Sequence, residues 1–362
     1  MRPIERRKVE HFLLSLRLTE EGPGNTLLGD VHLIHRAAPE LDLEDVDTST
    51  EFLGHEFEAP IMVEGMTGGF GLARDVNAAI ASAVEELGLG MGVGSQRAAL
   101  EDPELADTFR VVREAAPTAF VVGNIGAAQL LEYDVEALER AVEMVSADAM
   151  AVHFNPLQEC VQPEGEPRFR GVVERLREVC SALSRPVIAK ETGCGFSRED
   201  AALLVSAGVS AIDVSGLGGT SFAAIEGLRA RMMGDGTLYE MSKTFAGWGL
   251  PTAVSILEVR SASPDVPLIA SGGIRSGLDV AKAIALGADM AGIGLPVLRC
   301  AIEGGAEAVK RYLGRVVREL RVAMFLVGAS SVDELKKKPV VLSGALLQWA
   351  QQRGLLSALS RP

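Results

Sequence analysis

From Ala59 onward the chain repeats one unit: a short apolar run, a polar or glycine-rich turn, then an amphipathic stretch. The apolar runs predict strands over 60–64, 90–93, 119–122, 149–152, 187–190, 211–214, 268–270 and 290–293. They are apolar throughout rather than alternating, as parallel strands buried on both faces are. Between them, helical periodicity predicts helices over 76–87, 103–115, 135–145, 171–183, 198–207 and 278–286. Eight strands alternating with helices predict an α/β fold of the (β/α)8 TIM barrel kind, with the site on the loops after the strands. A doubly wound sheet is the competing arrangement, but no Gly-x-Gly-x-x-Gly opens a helix after the first strand.

The rhythm breaks once. Roughly 50 residues separate the sixth and seventh strands, and a connection of that length beside a functional face reads as a long binding or covering loop. It holds Gly216-Leu-Gly-Gly219-Thr220 and the segment 232–243. The segment 298–326 reads as the closing helices. The tail carries Lys336-Lys-Lys338 and a helix over 342–353, expected to pack outside the barrel or on a partner subunit. The division is therefore an N-terminal extension 1–58, a barrel 59–328 and a helical tail 329–362.

Composition narrows the partners. The chain has 362 residues, 48% of them hydrophobic, enough for one large α/β domain or two smaller ones. A net charge of −14 disfavours nucleic acid and anionic membrane surfaces. Against it stands one dense basic patch, Arg6-Arg7-Lys8, followed by a short apolar helix-like piece (Phe12, Leu13, Leu14, Leu16). Cys160, Cys180, Cys194 and Cys300 form no Cys-x-x-Cys pair, so neither zinc nor a disulfide framework is expected. No signal peptide pattern and no membrane-spanning run is seen, so the expectation is a soluble cytoplasmic protein.

Chemistry gathers at the strand ends. The fourth strand runs into His153-Phe-Asn155-Pro-Leu-Gln158-Glu159, four polar side chains within seven residues. The other ends carry Met66-Thr67-Gly-Gly69, Gly94-Ser95-Gln-Arg97, Gly123-Asn124, Lys190-Glu191, Asp213-Val-Ser215-Gly216, Ser271-Gly272-Gly273-Ile-Arg275 and Gly294-Leu295-Pro296. The loops after strands seven and eight, with a helix N-terminus, form a phosphate site in such barrels. Their glycines let backbone N–H groups approach, and Gly218-Gly-Thr220 is placed to join them. A phosphorylated cofactor or substrate follows. Lys190, at an otherwise apolar strand end, needs an anion or a polarised ring beside it. A salt bridge to Glu191 or Asp213 and a Schiff-base lysine of the aldolase kind are the alternatives.

Taken together, Met66-Thr-Gly-Gly69, Gly94-Ser-Gln-Arg97, His153-x-Asn-Pro-x-Gln-Glu159, Lys190-Glu-x-Gly193, Gly218-Gly-Thr220, Ser271-Gly-Gly-Ile-Arg275 and Arg7-Lys8-Val-Glu-His11 resemble the type 2 isopentenyl diphosphate isomerases, across essentially the whole chain. The resemblance implies interconversion of isopentenyl and dimethylallyl diphosphate with FMN, NADPH and Mg²⁺, reduced FMN acting as acid and base. It implies FMN on Met66, Thr67, Ser95, Asn124, Lys190, Ser215 and Thr220, with the phosphate on Gly272, Gly273, Arg275, Leu295 and Pro296. The diphosphate would meet Arg7, Lys8, Arg97 and His153, with Asn155 nearby. Glu159 would ligate Mg²⁺; Gln158, His153 and Lys190 would be the catalytic side chains. A homo-oligomer, tetramer or octamer, is also expected. One departure is Phe222, where these isomerases commonly carry Trp. The related α-hydroxy-acid oxidases share the Lys and the Ser-Gly-Gly loop but use a histidine near the end of strand seven. Here the histidines are 11, 32, 35, 55 and 153.

Overall fold

The computed structural model describes residues 3–17 and 24–359. Eight parallel strands close into a barrel: Ile61–Val63, Gly90–Gly92, Val121–Gly126, Ala149–Phe154, Val187–Glu191, Ala211–Asp213, Leu268–Ala270 and Met290–Ile293. Each pairs with its successor, and the eighth returns to the first with Ala291 opposite Ile61 and Ile293 opposite Val63. The third and fourth strands run past their apolar stretches, because Asn124 pairs with Ala151 and Gly126 with His153 in one unbroken ladder. His153 and Asn124 are thus strand residues, held by the sheet rather than by a loop.

Side chains alternate across each strand. Met62, Val122, Ala151, Ile188, Ile269 and Met290 fill the inside of the barrel; Ile61, Val63 and Val152 pack outward against the helices. The end of the barrel away from the strands' carboxyl termini is plugged by an antiparallel hairpin, Thr50–Phe52 with His55–Phe57. Its Phe52 and Phe57 rings lie 6.4 and 5.5 Å from Phe120.

The long connection after the sixth strand is built of helices: Phe222–Met232, Gly236–Phe245 and Thr252–Ala262. Ser221 and Asp235 cap the first two through their side chains. Phe222–Met232 escaped the sequence reading because its buried residues include Glu226 and Arg229 beside Ala223 and Ile225, so no apolar stripe stands out. Helix Pro3–Arg17 lies over the carboxyl-terminal end of the barrel against Phe222–Met232. At the tail, strand Val340–Leu342 pairs with Val31–Leu33, and Arg353 on helix Gly344–Arg353 bonds Glu258 and Glu199. The tail therefore packs on its own barrel. Among the described residues no helix is long and apolar enough to cross a membrane.

Candidate functional site

The carboxyl ends of the strands open into one cavity roofed by helix Pro3–Arg17; the space open to the centres of water-sized molecules is about 230 Å³. The roof presents Arg7, Lys8, His11, Phe12 and Ser15, spaced to share one face of a helix.

The floor is ionic. Lys190 Nζ lies 2.5 Å from Asp213 Oδ2 and 2.6 Å from Glu64 Oε2. Burial would lower its pKa, but Asp213 and Glu64 outweigh burial and raise it above the ordinary lysine value. Burial, then the neighbouring Asp213, push Glu64 up to about 7 against the pull of Lys190. Glu64 Oε1 is buried with no hydrogen-bond partner among the described residues. Asp213 Oδ1 accepts from Ser271 Oγ at 2.5 Å, tying the floor to the glycine turn. Glu191 does not meet Lys190: its carboxylate accepts from the backbone N–H groups of Thr192, Gly193, Cys194 and Gly195, pinning that loop.

One wall is the glycine turn. Gly272 and Gly273 hold φ of +95° and +79°, and a Cβ on Gly219 would lie 2.7 Å from Gly273 N. Glycine is required for that approach, which leaves backbone rather than side chains facing the cavity. Helix Gly277–Leu286 starts behind it, fixed by a Ser276–Asp279 capping box. Thr252 Oγ1 donates to Gly272 O at 2.6 Å.

The opposite wall is cationic. Lys8 Nζ reaches Ser95 O at 3.3 Å, and Arg97 pairs with Glu101 at 2.6 Å. Among the described residues Arg7 and Lys8 have no carboxylate partner. Burial first, then Arg7 and Arg97, bring Lys8 down to about 7; burial and Arg97 also lower Arg7. Asn124 Nδ2 donates to Val93 O, so its Oδ1 accepts from His153 Nδ1 at 2.8 Å. That network assigns the proton to Nδ1 and leaves Nε2 a lone pair. Burial, then Lys8 and Lys190, depress His153 to about 3. The resting histidine is therefore neutral.

At the end of the fourth strand, helix Pro156–Val161 presents Gln158 and Glu159. Asn155 Nδ2 donates to Glu159 Oε1 at 3.0 Å, and Glu159 Oε2 accepts from Glu166 N at 2.9 Å. Gln158 Nε2 donates to Glu226 Oε1 at 2.9 Å, which fixes the amide and aims its oxygen back toward Asn155. Burial works against the Glu226 carboxylate, yet bonds from His11, Arg229 and Gln158 hold it down at about 2. Among the described residues no group of three His, Cys, Asp or Glu is disposed to hold a metal ion alone.

All the residues assigned from the sequence to substrate, cofactor or metal line this cavity except Pro296, which sits in the first turn of the helix behind Leu295; Gly69, Gly123, Glu191, Asp213 and Gly218, also at the strand ends, do not line it. Sequence reasoning missed His11, Phe12, Glu64, Glu226 and Arg229. The 7/8/11/12/15 spacing signals the first two. Nothing local distinguishes Glu226 and Arg229 from an exposed i,i+3 pair.

A family model for FMN-dependent dehydrogenases matches residues 137–342. Isopentenyl-diphosphate delta-isomerase of Methanosarcina barkeri is 49% identical over 354 residues, covering 96% of this chain and 95% of the relative. The same-named protein of Metallosphaera sedula is 50% identical over 351 residues, with 96% and 95% covered. Among solved structures, a Pediococcus acidilactici lactate oxidase superposes with a TM-score of 0.67 at 19% identity, 94% of each chain covered. A mandelate oxidase variant superposes at 0.62 and 21%, 92% of each covered. At that identity the two oxidases speak for the barrel alone.

Proposed function

This chain belongs to the isopentenyl-diphosphate delta-isomerase family, in its FMN-dependent form, and from that premise we propose how its pocket carries the reaction. The enzyme interconverts isopentenyl and dimethylallyl diphosphate by moving one double bond, a change that adds a proton at one carbon and removes one at another.

The residues present fit FMN. The glycine turn leaves backbone facing the cavity, the helix that begins at Leu295 has no side chain capping its first turn, and the buried Glu64 Oε1 beside Lys190, without a hydrogen-bond partner among the described residues, leaves polar groups for a ring. Gly272, Gly273, Arg275, Leu295 and Pro296 would hold the phosphate. Met66, Thr67, Ser95, Asn124, Lys190, Ser215 and Thr220 would hold the rest. When bound and reduced, FMN supplies the acid–base chemistry and electron-rich face that no side chain here offers. NADPH serves as its reductant without being consumed at each turnover.

The protein binds, orients and keeps water out. Arg7, Lys8 and Arg97 receive the diphosphate, with Asn155 nearby; His153 joins them by taking a proton at Nε2 as the anion arrives. Glu159 would give Mg²⁺ one carboxylate, leaving the rest of its ligands to diphosphate oxygens and water. Phe12, Phe70, Phe222 and Leu298 enclose the carbon chain. Gln158, its amide fixed by Glu226, lies against the reacting carbons. Lys190, kept charged by Asp213 and Glu64, would supply positive charge to the ring.

The observation that carries this reading is the pair of roof cations, Arg7 and Lys8, without carboxylate partners in the same cavity as Glu159. The test is stoichiometry. Enzyme whose FMN is reduced chemically under argon turns over many times without NADPH, and oxidised enzyme without a reductant is inactive. One product formed per NADPH oxidised would make the chain an oxidoreductase and end this reading. A hydroxy-acid oxidase lacks support here, because no histidine follows His153. A Schiff-base lysine must shed its proton, whereas Asp213 and Glu64 hold Lys190 charged. We also expect a homo-oligomer, tetramer or octamer, in the cytoplasm, where the four unpaired cysteines suit reducing conditions.

A further inference from the structure

Helix Pro3–Arg17 has a difficult task. It carries two cations into a cavity where Arg7, Lys8 and Arg97 repel one another. Apolar contacts hold it down: Phe12 and Leu14 are buried, and the Phe12 ring meets Phe70 at 5.2 Å. Such contacts are non-directional and fix neither the rotation of a helix about its axis nor its slide along it.

A directional contact does lie beside them. Arg229, on Phe222–Met232, is only 2% exposed and bonds three carboxylates from three parts of the chain. Its Nε donates to Glu10 Oε2 at 2.9 Å, across to the roof helix. Its Nη1 donates to Glu226 Oε2 at 2.6 Å, and Nη1 and Nη2 clasp Glu164 at 3.0 and 2.8 Å. Glu10 is the one carboxylate of the roof helix bonded to the barrel among the described residues; its other oxygen takes Arg6 at 2.8 Å. His11 Nε2 lies 2.7 Å from Glu226 Oε1, which also receives Gln158. A planar guanidinium with five donors in fixed directions suits a three-way junction; an ammonium does not.

We propose that Arg229 is a positioning residue for the isomerase: through Glu10 it sets the roof helix so that Arg7 and Lys8 meet the substrate diphosphate. Arg229 itself touches neither substrate nor FMN. The same guanidinium holds Glu226, and Glu226 holds Gln158, so the docking of the roof and the orientation of that amide share one anchor. The inference rests on the reading that Arg7 and Lys8 receive the diphosphate, and the test separates the two.

Steady-state kinetics with isopentenyl diphosphate, FMN titration and thermal unfolding are measured on FMN-loaded full-length enzyme. Glu10→Ala raises KM about fivefold to tenfold while kcat, FMN affinity and Tm stay near those of the parent. Arg229→Lys raises KM in the same direction, and adding Glu10→Ala to it raises KM no further, the sign of one shared contact. Because Arg229→Ala would strand the buried Glu226, the milder Lys variant and Glu10, whose side chain is 17% exposed, carry the test. Glu10→Ala with parental KM, or a double variant whose effects simply multiply, overturns the positioning role. Arg7→Ala is the control: KM unchanged there overturns the diphosphate reading itself. A raised KM in Arg7→Ala beside a parental KM in Glu10→Ala overturns the positioning role alone.

Discussion

A lysine buried beside two guanidinium groups is poorly placed as a cation, and Lys8 shows the cost. Burial, then Arg7 and Arg97, bring it to about 7 from an ordinary 10.5. The unfolded chain keeps the ordinary value, so between these limits it binds more protons than the folded one. The stability this group contributes therefore rises with pH across that window. Binding runs the other way, since only the protonated ammonium attracts a diphosphate. We predict that kcat/KM falls as pH rises through about 7, and that Lys8→Arg, which keeps its charge, moves the fall upward. A profile flat between about pH 6 and pH 9 would remove Lys8 from the diphosphate. The same residue scale holds Glu159. Glu159→Gln keeps the bond from Asn155 but loses the charge, so activity falls and the Mg²⁺ dependence weakens, as read by titrating Mg²⁺ against rate.

Among the elements, the two ends of the barrel divide the labour. The carboxyl ends of the strands keep polar residues in the ladder, as His153 and Asn124 show, and their desolvation is offset by packing elsewhere. The hairpin Thr50–Phe57 supplies some of that packing, with Phe57 fully buried against Phe120. Phe57→Ala should therefore cost about 3–5 kcal/mol in urea unfolding. Its KM for substrate should stay parental, because the hairpin lies at the far end of the barrel. A raised KM would mean that the plug sets the geometry of the site. The helix pair after the sixth strand works the other way: it adds little to the barrel core and instead delivers Glu226 and Arg229 to the roof.

For the whole molecule, the decisive number is a net charge of −14 around a cavity rich in cations. A net charge of this sign disfavours nucleic acids and other polyanions, while a buried cationic cluster suits a small anion that fits. On the proposed reading, a metal held by one carboxylate and the substrate would not be part of the fold. Chelation with EDTA should abolish turnover while leaving Tm, circular dichroism and the flavin spectrum unchanged, and added Mg²⁺ should restore the rate. Unfolding or flavin loss on chelation would point to a structural metal instead.

The sequence by itself determined the eight strands, because a continuous apolar run can be buried on both faces only in a sheet covered by helices. It also determined the face that carries chemistry, since every strand end holds its own glycine or polar residue within a few positions. What it left open was whatever depends on partners distant in sequence. Lys190 called for an anion or a polarised ring, with an ion pair or a Schiff base as alternatives, until Glu64 and Asp213 closed on it from the first and sixth strands. Which nitrogen of His153 carries the proton was not legible until Asn124, on the neighbouring strand, took Nδ1. Glu10, Glu164 and Glu226 gave no sign of sharing one guanidinium, because 219 and 65 positions separate the first two from Arg229. Periodicity records how each residue meets water, whereas charge, tautomer and hydrogen-bond direction depend on the groups folding brings within about 3 Å. Only the closed barrel decided those.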